Sequence, residues 1–447
     1  MKSRYIFQRN SNADLPIVVG GDGCYLIDKD GKRYLDGSSG AAVSCLGHSD
    51  EYVKDEIKKQ IQGLSYVHSS FFTNEPAEKL AKRLASYAPK DLNRVYLVSG
   101  GSEAMEASIK LVRQYFLEIG KPQRRHIIAR RQSYHGNTLG ALAAGGNQWR
   151  RSQFEPLLFE TSLISPCYSW RDQKEHESEE EYGLRVANQL EVEIKRIGED
   201  KVMAFLAEPV VGATAGALCP VQGYFSRIRE ICNKYGVLLV FDEVMCGMGR
   251  TGSLFACEVD GVVPDIITIA KGLGAGYQPI GAMICKDYIH DAIETGSGFF
   301  QHGHTYLAHP IAASAGNAVL DRLIDDGIAE QVNKKGMLLK EKLVSALGQH
   351  PHVGDIRGRG LFIGLEFVND RISKNPFDPS LNISQKIKKN SLLEGLLCYP
   401  GQGTIDGKKG DHILIAPPFI ITETEMDLLV DRLKLGIQKS LNIKTFN

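Results

Sequence analysis

Short apolar runs separated by amphipathic stretches set the rhythm of this chain. "CYLIDKDGKRYLDGSSG" alternates apolar and polar positions about Asp30-Gly31, which predicts a hairpin whose second strand ends in a Gly/Ser loop. "HSDEYVKDEIKKQIQGL" carries helical spacing and stops at Gly63. From about residue 76 the pattern becomes strand, glycine loop, helix. "RVYLVSGG" leads into "SEAMEASIKLVRQYFLEIG", where Met105, Ile109, Val112, Phe116 and Ile119 share one apolar face. "HIIARR" leads into "QSYHGNTLGALAAGG", and "VMAFLAEPVVG", "GVLLVFDEVM", "DIITIAKG" and "GAMICK" follow as runs rich in Val, Ile and Leu. Such runs, alternating with helical segments, predict an α/β fold with a mostly parallel sheet covered on both faces.

One segment breaks the rhythm. "SWRDQKEHESEEEYGLRVANQLEVEIKRIG" is highly charged and turns helical, which predicts an exposed excursion followed by a surface helix. After about residue 310, long amphipathic helices precede a strand pair around "IRGRGLFIGLEFV" and "HILIAPPFII". This mixture suits a smaller α+β domain built from an N-terminal segment (1–65) and a C-terminal segment (319–447). The large α/β domain then occupies 66–318. No internal repeat or low-complexity tract is evident.

Composition narrows the functional classes. A chain of 447 residues can bury two or three domain cores. Lys+Arg and Asp+Glu are both 53, so no basic stripe points to nucleic acid. No apolar run reaches the ~20 residues of a membrane helix, and "MKSRYIFQRNSNADLP" lacks the apolar core of a secretory signal. The nine cysteines are scattered without close pairs, and most lie in apolar or Gly-rich surroundings. They read as buried thiols of a cytoplasmic protein.

Open α/β sheets hold ligands outside the carboxyl ends of their strands, and several chemically capable residues stand there. In "SGGSEA", Gly100, Gly101 and Ser102 could cradle a phosphate at a helix N-terminus, or serve as a Ser cap after a tight turn. In "SYHGNT", Tyr134 and His135 occupy a loop before a helix, where the aromatic ring could stack on a flat ligand or be an ordinary loop aromatic. Asp242 closes the very apolar "VLLVFDEV"; a carboxylate there is costly unless paired, with a ring N–H⁺, a helix cap or a salt bridge as partner. Lys271 ends "DIITIAK" and opens a glycine-rich loop, where a desolvated lysine can form a Schiff base with an aldehyde. A phosphate cradle, a stacking aromatic, a carboxylate for a pyridine nitrogen and a reactive lysine are what pyridoxal phosphate requires of a protein. The four occur here in order, each at a strand-to-loop junction.

On these residues the chain resembles the class-III aminotransferases of the fold-type-I pyridoxal-phosphate superfamily. "SGGSEAMEASIK", "YHG", "AEPVVG", "FDEVMCGMGRTG", "IAKGLGAGYQPIGA", "HTYLAHP", "RGRGLFIGLEF" and "GDHILIAPP" are similar to that family's blocks, in its order, from about residue 20 to 435. The resemblance implies a seven-stranded large-domain sheet and pyridoxal 5'-phosphate as cofactor. Lys271 would then carry the cofactor, and Asp242 would hold the pyridine nitrogen. Tyr134 and Val244 would pack on its two faces, with His135 and Gly136 beside them. Gly100, Gly101 and Ser102 would bind the phosphate, and Glu208 would lie near the ring hydroxyl. Thr305 would reach the phosphate of a neighbouring subunit, so a homodimer is expected, with a tetramer left open. His302 and His304 have no carboxylate or cysteine cluster beside them, and no metal is expected.

The implied activity is transfer of an amino group from an amine, ω- or β-amino acid to a 2-oxo acid, pyruvate or 2-oxoglutarate, by a ping-pong route. An aminomutase, an epimerase or a decarboxylating transaminase could use almost the same constellation. Lys271, Asp242 and Tyr134 together argue against a non-catalytic cofactor-binding protein. This chain also departs from the family pattern. A Glu/Arg gate for the substrate carboxylate is replaced by Ala213 and by Leu414 or Ile415. A mobile arginine is absent near Tyr399, where the insertion "GQGTIDGKKG" stands, and a pocket aromatic is replaced by Ala42. Arg357 and Arg359 could be structural or could meet a carboxylate; Lys408 and Lys409 are expected to be solvated, or to favour an anionic substrate. The small residues predict a roomy, fairly apolar donor pocket.

Overall fold

The computed structural model describes residues 5–441. A seven-stranded sheet organises it: β1 (Leu92–Val98), β2 (His126–Arg130), β3 (Thr161–Ile164), β4 (Val202–Ala207), β5 (Leu238–Asp242), β6 (Ile266–Ile269) and β7 (Gly281–Lys286). Their order across the sheet is β1-β7-β6-β5-β4-β2-β3. Neighbours from β6 to β3 pair in parallel, and β7 is antiparallel to both β6 and β1. Because only β7 reverses, the carboxyl ends of the other six strands open on the same edge. That edge collects the loops after β1, β2, β4, β5 and β6.

The continuous apolar runs are sorted between two layers by the two-residue period of a strand. Ile127, Ala129, Leu238, Val240, Ile266, Met283 and Cys285 face one side, against Met105, Leu111, Val112 and Phe116 of the helix Gly101–Glu118. Ile128, Leu239, Phe241, Ile267 and Ile284 face the other side, against helices Glu179–Ile197 and Tyr224–Tyr235. Ile119, expected on the apolar helix face, lies just past the last turn, is 37 % exposed and leads into Gly120. The charged excursion is largely exposed from 174 to 181, and a capping box of Ser178 and Glu181 then starts its surface helix.

Two smaller sheets complete the fold. The N-terminal strands Val18–Asp22, Tyr25–Asp28 and Arg33–Asp36 take Leu396–Leu397 as a parallel fourth strand. Val353–Arg359, Phe362–Phe367, Asp411–Ile415 and Tyr399–Gln402 form an antiparallel sheet. We propose the domain division 1–65 with 319–447 on the strength of that shared N- and C-terminal sheet; its outer ends, 1–4 and 442–447, lie outside the described residues. All nine cysteines are free, and eight are buried. Among the described residues no helix is long and apolar enough to cross a membrane.

A buried polar knot ties the charged excursion to the antiparallel sheet. Glu366, with no exposure, accepts from the Arg171 Nε at 2.6 Å, the Arg357 Nη1 at 2.7 Å and the Tyr168 hydroxyl. Removing one member of a buried ionic group leaves the others uncompensated, which costs about 3–5 kcal/mol. Glu366→Gln is therefore expected to lower the unfolding free energy by about 3 kcal/mol or more, read as a lower urea midpoint with unchanged slope. A midpoint equal to that of the parent chain would refute it.

Candidate active site

The carboxyl edge of the large sheet surrounds a cavity of about 460 Å³. Each strand delivers its residue at the point where the apolar run ends. After β1 come Gly100, Gly101 and Ser102; after β2, Tyr134, His135 and Gly136; after β4, Glu208; at the end of β5, Asp242; after β6, Lys271. All of these line the cavity, together with Val244 and Ala213.

The floor is acidic and buried. Asp242 is 4 % exposed, and its Oδ2 accepts from the His135 Nδ1 at 2.8 Å. Its Oδ1 accepts from the Val244 N–H at 3.0 Å. Glu208 Oε1 accepts the Tyr134 N–H at 2.7 Å. Ligand atoms of His135, Glu208 and Asp242 all lie within 4.8 Å of one another. Burial, with Asp242 adding to it, pushes the Glu208 carboxyl up to about 7. Lys271 is lowered from the ordinary lysine value by the same desolvation, against the pull of Asp242 and Glu208. Its backbone has φ +44°, a conformation that non-glycine residues adopt rarely and that functional sites often hold.

The rim is built for an anion. The 18-residue helix Gly101–Glu118 starts at Gly100, which supplies no side-chain cap, so its first-turn N–H groups lack an internal acceptor. The Ser102 hydroxyl donates to Asn137 Oδ1 at 2.8 Å. A Cβ at Gly101 would come within 2.7 Å of Val244 Cγ1, so glycine lets Val244 close on the helix start.

Pyridoxal phosphate suits these residues. The His135 Nε2 and Glu208 Oε2 atoms are buried without a protein partner, as expected of atoms that await a polar ligand. An amine of lowered pKa, a buried carboxylate and an uncapped helix start are the donor set that its aldehyde, ring nitrogen and phosphate require.

The residues expected around the substrate are placed differently from one another. Ala42 and Leu414 are buried, with Tyr399 packed against them, in one apolar cluster that backs onto the cavity residues Val210 and Met245. Val43 is the residue of that loop which lines the cavity. Arg357 lies elsewhere: its guanidinium donates to Asp355, Glu366 and the carbonyls of Ala215 and Gly216. Arg359 pairs with Asp260 at 3.0 Å, and Lys408 and Lys409 are exposed. Thr305 is exposed and does not line this cavity; its carbonyl accepts from the Tyr66 hydroxyl at 2.9 Å. The His135–Asp242 pair and Arg150, whose guanidinium stands 4.5 Å from the Tyr134 ring centre, are not foreseen by sequence reasoning. His135 carries a signal, its place beside Tyr134 at a strand end; Arg150, inside "NQWRR", carries none.

The family model for class-III aminotransferases matches residues 6–437. An uncharacterized aminotransferase of Schizosaccharomyces pombe is 46% identical over 441 residues, 98% of this chain and 96% of that one. A thermostable (S)-enantioselective omega-transaminase from Thermomicrobium roseum superposes with a TM-score of 0.92 at 32% identity, covering 98% of this chain and 96% of that one. The PMP-bound form of an aminotransferase from Vibrio fluvialis gives 0.90 at 32% identity, over 98% and 97%.

Proposed function

This chain belongs to the class-III aminotransferases and uses pyridoxal 5'-phosphate, and we propose that it moves an amino group from an extended amine, ω- or β-amino acid to a 2-oxo acid by a ping-pong route. The observation that carries this reading is the meeting of a desolvated Lys271 with the Asp242–His135 pair in one cavity rimmed by an uncapped helix start. When bound, the cofactor supplies an electron sink for the substrate's amine-bearing carbon.

The chain's own groups do the rest. Lys271, less basic than a solvated lysine, takes the proton from the substrate carbon and later returns one as a general acid. Asp242, pinned by His135 and the Val244 N–H, would hold the ring nitrogen and keep its proton there. Tyr134 and Val244 would hold the ring between them, and Glu208 would lie beside its hydroxyl. Gly100, Gly101 and Ser102 would hold the phosphate at the helix start. Val43, Val210, Ala213 and Met245 leave the donor side apolar and open, and the likeness to an omega-transaminase supports such donors.

Thr305 on an exposed segment beside the exposed Phe299 and Tyr306 supports a homodimer in which it serves the partner's phosphate. Sedimentation of the holoenzyme as a monomer would count against that. The nine free thiols support a cytoplasmic location, testable by fractionation.

The deciding experiment is a half-reaction screen. Holoenzyme mixed with single amines is expected to lose its cofactor band and release stoichiometric carbonyl product, and a 2-oxo acid should restore the band. An epimerase or aminomutase would release no carbonyl product. A panel in which only small α-amino acids react would sink the donor assignment.

A further inference from the structure

Resting on the transaminase reading, a 2-oxo acid must be placed by its carboxylate, and the cavity is short of cations to do so. Its floor carries Glu208 and Asp242, and Lys271 is committed to proton transfer. The nearby arginines are mostly consumed. Arg130 is buried and donates to the Glu208 carbonyl; Arg151 donates to the carbonyls of Leu142, Ala143 and Gly145; Arg357 is held by Glu366 and Asp355.

Arg150 is different. It sits on the short helix Gln148–Arg151, with its guanidinium over the Tyr134 ring at 4.5 Å and near Trp149 at 5.7 Å. Among the described residues no carboxylate pairs with it. It lines a second cavity of about 580 Å³ that shares Tyr134 and Gly136 with the first and also receives Arg9. A guanidinium stacked on a ring keeps its in-plane N–H edge free for a bidentate acceptor.

The insertion after Tyr399 braces this helix. A Cβ at Gly407 would lie 3.0 Å from the Gln148 Cβ and 3.2 Å from the Trp149 backbone nitrogen, so the loop backbone packs directly on it. The Gly403 carbonyl accepts from the Gln132 side chain, two residues before Tyr134. The loop's far end is held where Thr404 meets His412 at 2.6 Å, and His412 meets the carbonyl of the cavity residue Ala213 at 3.0 Å.

We propose that Arg150, assisted by Arg9, is the carboxylate-binding group for the 2-oxo acid, on the Tyr134 side of the cofactor cavity and held in place by the 403–410 loop. The test uses purified holoenzyme, with Arg150→Met, Arg150→Lys and Arg9→Met. Acceptors are pyruvate and 2-oxoglutarate against an aldehyde that lacks a carboxylate. Loss of a charge-assisted bidentate contact predicts that Arg150→Met lowers kcat/KM for the 2-oxo acids about 10- to 100-fold, through KM. The aldehyde should change by no more than about threefold. Arg150→Lys should recover part of the loss, since charge and ring contact survive without the fork, and Arg9→Met should show a smaller loss of the same kind.

Equal losses for both acceptor classes, loss of bound cofactor, or unchanged 2-oxo acid kinetics would each overturn the proposal. Calorimetric binding of glutarate, which cannot be transaminated, reads the site without turnover. If glutarate binding depends on Arg150 while the parent enzyme transaminates nothing, only the transaminase reading falls.

Discussion

Lys271→Ala is expected to reduce turnover by at least about 10⁴-fold and to eliminate the absorption band of the lysine-attached cofactor. General acid–base catalysis contributes about 10²–10⁴-fold for each proton transfer, and Lys271 is assigned two. The other titratable groups on the cavity floor are each held through one atom, Asp242 with His135 and Glu208 with the Tyr134 N–H, and none of them carries an amine that could take the place of Lys271 on an aldehyde. Burial lowers the lysine's pKa, so its neutral form, the competent base, is reached at lower pH than for a solvated lysine. The parent's rate should accordingly rise with pH through a limb below the usual lysine range, and that limb should vanish in the variant. Partial rescue by a small primary amine would separate lost chemistry from lost structure. Full activity in Lys271→Ala would refute the assignment.

That lysine was legible because desolvation writes itself into local sequence. Lys271, Asp242, Glu208 and the 100–102 glycine loop each interrupt an apolar run at its last residue. A strand carboxyl end is where a parallel sheet can place a polar group without burying it unpaired. The same logic made the strands of the large sheet legible, although nothing local in "GAMICK" distinguishes a reversed strand from a parallel one. What stayed hidden depends on distant partners. His135 finds Asp242 only because β2 and β5 flank β4 on the same edge. Arg357 is drawn away from the cavity by Glu366 and the carbonyls of Ala215 and Gly216, which no spacing in "RGRG" encodes. Ala42 has φ +61°, and its neighbour Val43 is the one that lines the cavity while Ala42 joins the apolar layer behind it. Arg150 follows a break in the helical pattern, and its partner Tyr134 is supplied by the fold.

Asp242→Asn should separate the two halves of the site. The amide keeps the volume and can still accept from the Val244 N–H, but it carries no charge to hold a ring nitrogen protonated. Taking one partner from a buried charge pair costs about 3–5 kcal/mol, equivalent to about 10²–10⁴-fold in rate at 1.36 kcal/mol per decade. Turnover should fall by that factor, whereas the absorption band should persist, because Lys271 is intact and the proposed phosphate site is the helix start after β1, remote in sequence from β5. The pairing with His135 sharpens the test. An Asn in the rotamer that donates to Nδ1 would force the imidazole to its other tautomer, placing a proton on Nε2, the buried atom that has no protein partner in the parent chain. The His135 ring resonances should therefore move in Asp242→Asn and stay in place in Lys271→Ala. A variant that loses the band together with activity would mean that Asp242 shapes the cavity and does not act as the ring's counter-charge.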